Sequence, residues 1–236
     1  MKTALISDIH GNLAALKAVL AEIDAMGIGR VLCLGDMGGY YPDVDAVCDL
    51  LRARGIPALM GNHDWYLAKD VPCPRSNSAN RCLDHQRATM RPDTLSWLQG
   101  LHPSAEWDGI QVVHGGWNDP LDEYLVPSKA LFSALCSTLP GRVFASGHSH
   151  VALTWQDAEL RYCNPGSVGQ PRDGDWRAAF ATWDGADFTL HRVPYDVAAT
   201  EAAMAEAGFD AYFYENLRLG AQIGGKINQP AGRANP

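Results

Sequence analysis

Five short polar clusters hold most of the residues able to bind a metal or move a proton. They are Asp8-Ile9-His10, Gly35-Asp36, Gly61-Asn62-His63-Asp64, His114-Gly115 and Gly147-His148-Ser149-His150, and they contain five of the chain's eight histidines. Imidazole and carboxylate donors together suit manganese, iron, zinc or cobalt. No cysteine lies among them, which argues against a structural zinc site. Each cluster alone has an ordinary reading as a turn, a helix cap or a satisfied strand-end histidine. Five in succession, each following an apolar run, are hard to explain as unrelated turns.

Those apolar runs define the elements that must carry the clusters. Lys2 to Ser7 reads as a buried strand. Leu13, Leu16, Leu20 and Ile23 then recur at helical spacing, with Gly27 as a stop. Arg30 to Leu34 is a second expected strand. Asp43 is placed to cap a helix over Val44, Val47, Leu50 and Leu51 that ends at Gly55, and Ile56 to Met60 is a third strand. Alternation of this kind implies parallel pairing through right-handed crossovers, and open α/β sheets gather ligands at the carboxyl ends of their strands.

Trp65 to Pro92 lacks clean periodicity and carries Pro72, Pro74, Asn77 and Asn80, so it is expected as a long excursion with at most a short helix. Lys69, Arg75, Arg81, Arg87 and Arg91 outnumber Asp70 and Asp84 there, which would suit a lid over an anion or a solvated loop. Asp93 is expected to cap a short helix through Trp97. Ile110 to Val113 and Arg142 to Ser146 read as strands, with a helix over Ser128 to Leu139 between them. Short β runs follow from Ala152 to Val193, with Asp184-Gly185 as a hairpin signal, then an Ala-rich helix from Val197 to Ala207.

Composition sets the outer limits. The 236 residues are 47% hydrophobic and 19% charged, enough to bury a sizeable core as one domain, expected over 1–223 with 224–236 as a flexible tail. The net charge of −8 argues against a general nucleic-acid or membrane-surface binder, and a local cation cluster would still attract a small anion. No run is long enough to span a bilayer, and the N-terminal apolar run stops at Asp8, so a cytoplasmic location is the expectation. Of the six cysteines, four lie in apolar runs. Cys73 and Cys82 sit in the polar excursion and are the two candidates for redox or zinc chemistry.

The order D-x-H, GD, GNHD, H, GHxH resembles the calcineurin-like metallophosphoesterase superfamily. SDIHGNLAAL, the GYYPD segment, DPLDEYL and NPGSVGQPRDGD extend the likeness over roughly Lys2 to Tyr195. They are similar to the bacterial branch of small single-domain phosphoesterases related to diadenosine-tetraphosphate hydrolases. His114-Gly115-Gly116-Trp117 departs from that branch, which more often has a Ser-Pro pair, and the excursion has no clear counterpart.

The resemblance implies an α/β fold of four layers, two mixed β-sheets flanked by helices. It implies two transition-metal ions, manganese or iron before zinc or cobalt: one held by Asp8, His10 and His150, the other by Asn62, His114 and His148, with Asp36 shared. Two divalent ions outweigh Asp8, Asp36 and a bridging hydroxide, so the site stays positive. The implied chemistry is hydrolysis of a phosphoester or phosphoanhydride by metal-activated hydroxide, without a phosphoenzyme. His63 would protonate or stabilise the leaving oxygen, and Asp64 would fix its tautomer. The alternative role for His63 is a third ligand of the second metal. Asn12 would bind phosphate or cap the first helix. Asn164 and Ser167 lie with Arg172 in NPGSVGQPR, and Arg172 would clamp phosphate or sit in a surface ion pair. The substrate would be a small phosphorylated molecule, nucleotides included. Rival readings are a dinucleotide polyphosphate hydrolase, a non-catalytic scaffold of the same fold and a nuclease subunit.

Overall fold

The computed structural model describes residues 2–228. Strands β1 (Thr3–Ile6), β2 (Val31–Cys33), β8 (Ala178–Trp183) and β9 (Phe188–Val193) form one sheet in the order β2-β1-β8-β9. Strands β3 (Ser104–Trp107), β4 (Ile110–Val113), β5 (Val143–Ser146), β6 (Leu153–Gln156) and β7 (Arg161–Asn164) form the second, in the order β3-β4-β5-β7-β6. Both are mixed. β1 pairs parallel with β2 and antiparallel with β8, while β5 is parallel to both β4 and β7.

Period-two alternation assigns the side chains to layers. Leu5, Leu32, Ile110, Val112 and Ala145 meet between the sheets. Ala4 and Ile6 turn the other way, toward α1 (Leu13–Ala25), α2 (Val44–Ala53) and α7 (Val197–Glu206). Phe144 and Tyr162 pack outward against Phe132 of α6 (Lys129–Leu135). Helices, sheet, sheet and helix make the four layers that the resemblance implied. Among the described residues no helix is long and apolar enough to cross a membrane.

Several expectations change. Ile56 to Met60 is not a full strand. It makes one parallel bridge, Cys33 to Ala58. Pro57 has no N–H to extend the ladder, and the Met60 N–H turns to the His102 carbonyl at 2.8 Å. The Trp65–Pro92 excursion is largely helical: α3 (Asn62–Lys69) and α4 (Asn77–Thr89) precede α5 (Pro92–Gln99). Ser76 caps α4 by accepting from the Ala79 N–H. Cys73 and Cys82 are buried free thiols, and burial pushes Cys82 up to about 12; among the described residues neither belongs to a group of side chains that could hold a metal. Asp93 lies inside the first turn of α5, whose cap is Arg91. β3 was missed because it is an exposed edge strand with no apolar pattern. Part of the expected tail is engaged, since the Asn228 N–H donates to the Arg172 carbonyl at 2.6 Å. Residues 229–236 lie outside the described part of the chain.

Candidate metal centre

The ends of both sheets deliver the polar clusters to one place. Backbone hydrogen bonds lace the loop after β1 to the loop after β2: the Asp8 N–H donates to the Gly35 carbonyl, Ile9 and His10 both donate to Asp36, and Gly11 donates to Met37. From the second sheet, the Gly147 N–H donates to the His114 carbonyl, and the His148 N–H donates to Asp8 Oδ2 at 3.0 Å.

Asp8, His10, Asp36 and His150 each offer a ligand atom within 4.8 Å of the others, and Asp36, His114 and His148 do the same. Asp36 is common to both sets. Its Oδ1 accepts from the His63 N–H at 2.9 Å. Its Oδ2 lies 3.6 Å from His10 Nε2 and 3.5 Å from His114 Nε2, with no hydrogen bond. Asn62 joins the second set, its Oδ1 lying 3.1 Å from His114 Nε2 and 3.1 Å from His148 Nδ1.

The protonation pattern fits a cation in each set. His10 Nδ1 faces the Gly38 carbonyl at 2.7 Å, His150 Nδ1 faces Gln170 at 2.6 Å and His114 Nδ1 faces Leu34 at 2.8 Å. A carbonyl only accepts, so each Nδ1 carries a proton; the neutral His10 and His150 rings turn a lone pair inward from Nε2, and His114 does so once it gives up its second proton to a cation. Those lone pairs meet Asp8 Oδ1 and Asp36 Oδ2, both buried and without a hydrogen-bond partner. Converging unpaired acceptors of this type are a metal site's donor set, with backbone carbonyls orienting the imidazoles.

Electrostatics follow from burial and crowding. Burial holds His10, His148 and His150 below the usual range, and neighbouring His150, His114 and Arg172 add to this respectively. Burial opposes ionisation of Asp8 and Asp36, yet His150 beside the first and His114 beside the second draw both carboxylates below their ordinary range. Burial also works against a charged His114, but Asp36 outweighs it and raises the ring to about 9.

The backbone is strained here. Seven non-glycine residues among those described have positive φ, and five of them are Asp8, His10, Asp36, His148 and His150, at 55° to 65°. Left-handed conformations of such residues cost about 1–3 kcal/mol each and concentrate at functional sites. Glycine permits the closest approach: a Cβ on Gly61 would lie 2.0 Å from Asp36 Oδ1.

His63 is buried, and its ring packs against Tyr40 at 4.8 Å and His10 at 4.9 Å. Burial lowers it to about 4. The expected hydrogen bond from the His63 ring to Asp64 is not made, and His63 Nδ1 has no partner. Asp64 instead accepts from the backbone N–H groups of Asp36 (2.7 Å), Gly38 (3.0 Å) and Gly61 (2.9 Å). It ties the loop after β2 to the start of α3, and burial with the nearby Asp36 raises it to about 7.

Two expected phosphate contacts are committed elsewhere. Asn12 caps α1, accepts from Thr200 Oγ1 and donates to the Gly169 carbonyl. Asn164 donates to Gly147 and Ser149 and accepts from the Gly166 N–H. Ser167 Oγ donates to the Asp8 carbonyl. Arg172 is not in a surface ion pair: it is buried beside Gln170 in a cavity of about 120 Å³. Asp36, Asn62, His63, His148 and His150 form one side of that cavity. Tyr40, Tyr124, Ser76, Ser78 and Gln170 also line it and were not singled out from sequence, although GYYPD and DPLDEYL contain the two tyrosines. Of the lid arginines Arg75 reaches the cavity, whereas Arg87 binds the Tyr66 and Val71 carbonyls and Arg91 pairs with Asp49 and Asp93.

Comparison with known proteins agrees with this geometry. The sequence model of the calcineurin-like phosphoesterase superfamily domain matches residues 1–186. An uncharacterized protein of Methanocaldococcus jannaschii is 30% identical over 242 residues, covering 92% of this chain and 97% of that protein. Phosphodiesterase YfcE of Escherichia coli is 27% identical over 175 residues, covering 74% of this chain and 83% of its own length. The crystal structure of a metallophosphoesterase from Sphaerobacter thermophilus superposes with a TM-score of 0.81 at 29% identity, over 93% of this chain and 99% of that one. The chain therefore belongs to the calcineurin-like phosphoesterase superfamily and is an enzyme of the phosphoester-hydrolase class.

Proposed function

We propose that this enzyme uses two metal ions to hydrolyse a small phosphoester or phosphoanhydride. The observation that carries the reading is the position of Asp36 Oδ2, unpaired and shared between two sets of inward-facing lone pairs. Asp8, His10 and His150 would hold one ion, Asn62, His114 and His148 the other, with Asp36 in both sets. Bound ions of this kind, manganese or iron foremost, acidify water and offset phosphoryl charge.

The protein's own residues do the rest. His63 presents its ring to the cavity, where it would protonate the leaving oxygen or stabilise its charge through an N–H hydrogen bond. Hydrolysis forms a bond from water oxygen to phosphorus, breaks the bond to the leaving oxygen and transfers one water proton to it. Arg172 would bind a phosphoryl oxygen. Asp64 holds the loops bearing Asp36 and Asn62 together. The cavity of about 120 Å³ has room for a phosphoryl group beside Asp36, His63 and Arg172.

The test is to strip the protein with chelator, restore Mn²⁺, and assay p-nitrophenyl phosphate, bis-p-nitrophenyl phosphate and diadenosine tetraphosphate. Turnover that returns only with metal is expected. Metal bound at two equivalents with no turnover of any of the three would count against the reading.

A further inference from the structure

Arg172 is 5% exposed, yet among the described residues no carboxylate lies within 4 Å of its guanidinium. The chain carries 27 acidic residues and pairs its other buried or half-buried arginines with them: Arg192 with Asp173, Arg161 with Asp187, Arg87 with Asp84. Arg172 instead spends Nε and one Nη2 hydrogen on Gln170 Oε1, at 2.9 and 2.7 Å. A guanidinium has five N–H donors, so three remain. Its carbon lies 5.4 Å from the centre of the Tyr40 ring, which fixes the plane without neutralising the charge. A buried cation held only by neutral groups is costly unless an anion completes it.

The position of that anion is defined. The Arg172 N–H donates to the His150 carbonyl, and Gln170 receives the His150 Nδ1 proton through its own carbonyl. Arg172 is therefore built into the same support as a candidate metal ligand and faces the same cavity as Asp36, His63 and His148. With a cation held in each ligand set, that cavity would present three positive loci: the two sets and the guanidinium. A phosphodiester has two non-bridging oxygens, and a terminal phosphoryl group has three.

Resting on the proposed hydrolysis, we infer that Arg172 selects the third non-bridging oxygen, so that the preferred substrate class is a terminal phosphoryl group, a phosphomonoester or the end of a phosphoanhydride, rather than an internal diester. A planar guanidinium with free N–H groups on one edge is suited to donating to a phosphoryl oxygen.

The experiment compares p-nitrophenyl phosphate with bis-p-nitrophenyl phosphate, using Mn²⁺-loaded wild type, Arg172→Met and Arg172→Lys, with metal content measured on each. Wild type should favour the monoester in kcat/KM. Arg172→Met should lose about 10- to 100-fold on the monoester, the size expected for a charge-assisted hydrogen bond, and far less on the diester. Arg172→Lys, which keeps the charge but not the planar fork, should fall between. Wild-type preference for the diester, or an equal loss on both esters, would overturn the assignment. Calorimetric titration with inorganic phosphate gives a readout independent of turnover. Weaker phosphate binding by Arg172→Met supports the assignment, and unchanged binding overturns it. If metal-loaded wild type hydrolyses neither ester nor diadenosine tetraphosphate, the hydrolysis reading fails, and the phosphate titration alone decides the role of Arg172.

Discussion

His10 and His150 face each other through their Nε2 atoms at 3.0 Å, although 140 residues separate them in sequence. Each ring has committed its other nitrogen to a backbone carbonyl, so neither Nε2 has a proton to offer the other. Two lone pairs at that distance repel, and a cation between the donors turns the repulsion into binding. Metal should therefore stabilise the fold. At a free Mn²⁺ concentration about 100 times Kd, stabilisation of about 2.7 kcal/mol is expected. Scanning calorimetry with chelator and with added Mn²⁺ measures it, and identical Tm values with metal demonstrably bound would contradict the geometry.

Asp36→Asn keeps the shape of the shared ligand but removes its charge. Both ligand sets lose the same oxygen, so metal content and activity should fall together. Elemental analysis of the purified variant is the check. A fully metallated Asp36→Asn protein would refute the sharing.

His63→Ala should keep its metal and lose about 10²- to 10⁴-fold in kcat, the range for a positioned acid–base group. Loss of one equivalent of metal in that variant would instead make His63 a ligand.

Asp64→Ala leaves three buried N–H groups without their acceptor. A loss of about 3–5 kcal/mol in stability is expected from unsatisfied buried donors. Asp64→Asn, with one acceptor oxygen left, should fall between the two. Because Asp64 does not touch His63, the pH profile of kcat in Asp64→Asn should keep its midpoints. A displaced profile at undiminished stability would return Asp64 to the role of orienting His63.

Gly61→Ala introduces a methyl group 2.0 Å from Asp36 Oδ1 and 2.4 Å from the Asp36 nitrogen. The shared carboxylate must move, and metal affinity should drop by more than tenfold. Isothermal titration with Mn²⁺ would expose the error if affinity were unchanged.

The residues of the two candidate donor groups stood out in the sequence because polar clusters interrupt apolar runs, their division between two ions being what the resemblance implies, and the helices α1 and α2 were legible because their buried residues recur at spacings of three and four. The helix α4 was not, since its buried stripe is Ala79, Cys82, Leu83 and Gln86, half of it not plainly apolar. The misassigned role of Asp64 has a geometric cause. His63 and Asp64 are adjacent in the first turn of α3, and neighbours at i and i+1 on a helix point in different directions. Adjacency in the sequence looked like a pair, and the helix separated it. Tyr40 and Tyr124 sit in loops whose sequence has no period to say which way they turn. Arg172 could be read as an anion ligand from its type, but its missing counter-ion is visible only in three dimensions.

The two sheets contribute three residues each to one centre, and Asn62 of α3 joins them. Asp8, His10 and Asp36 follow strands of the first sheet, whereas His114, His148 and His150 follow strands of the second. Ions bound there would act as rivets across the seam where Leu5 and Leu32 meet Ile110 and Val112. Any motion that parts the sheets parts the ligands, so the rate at which bound metal exchanges with solution becomes a clock for the opening of the whole sandwich.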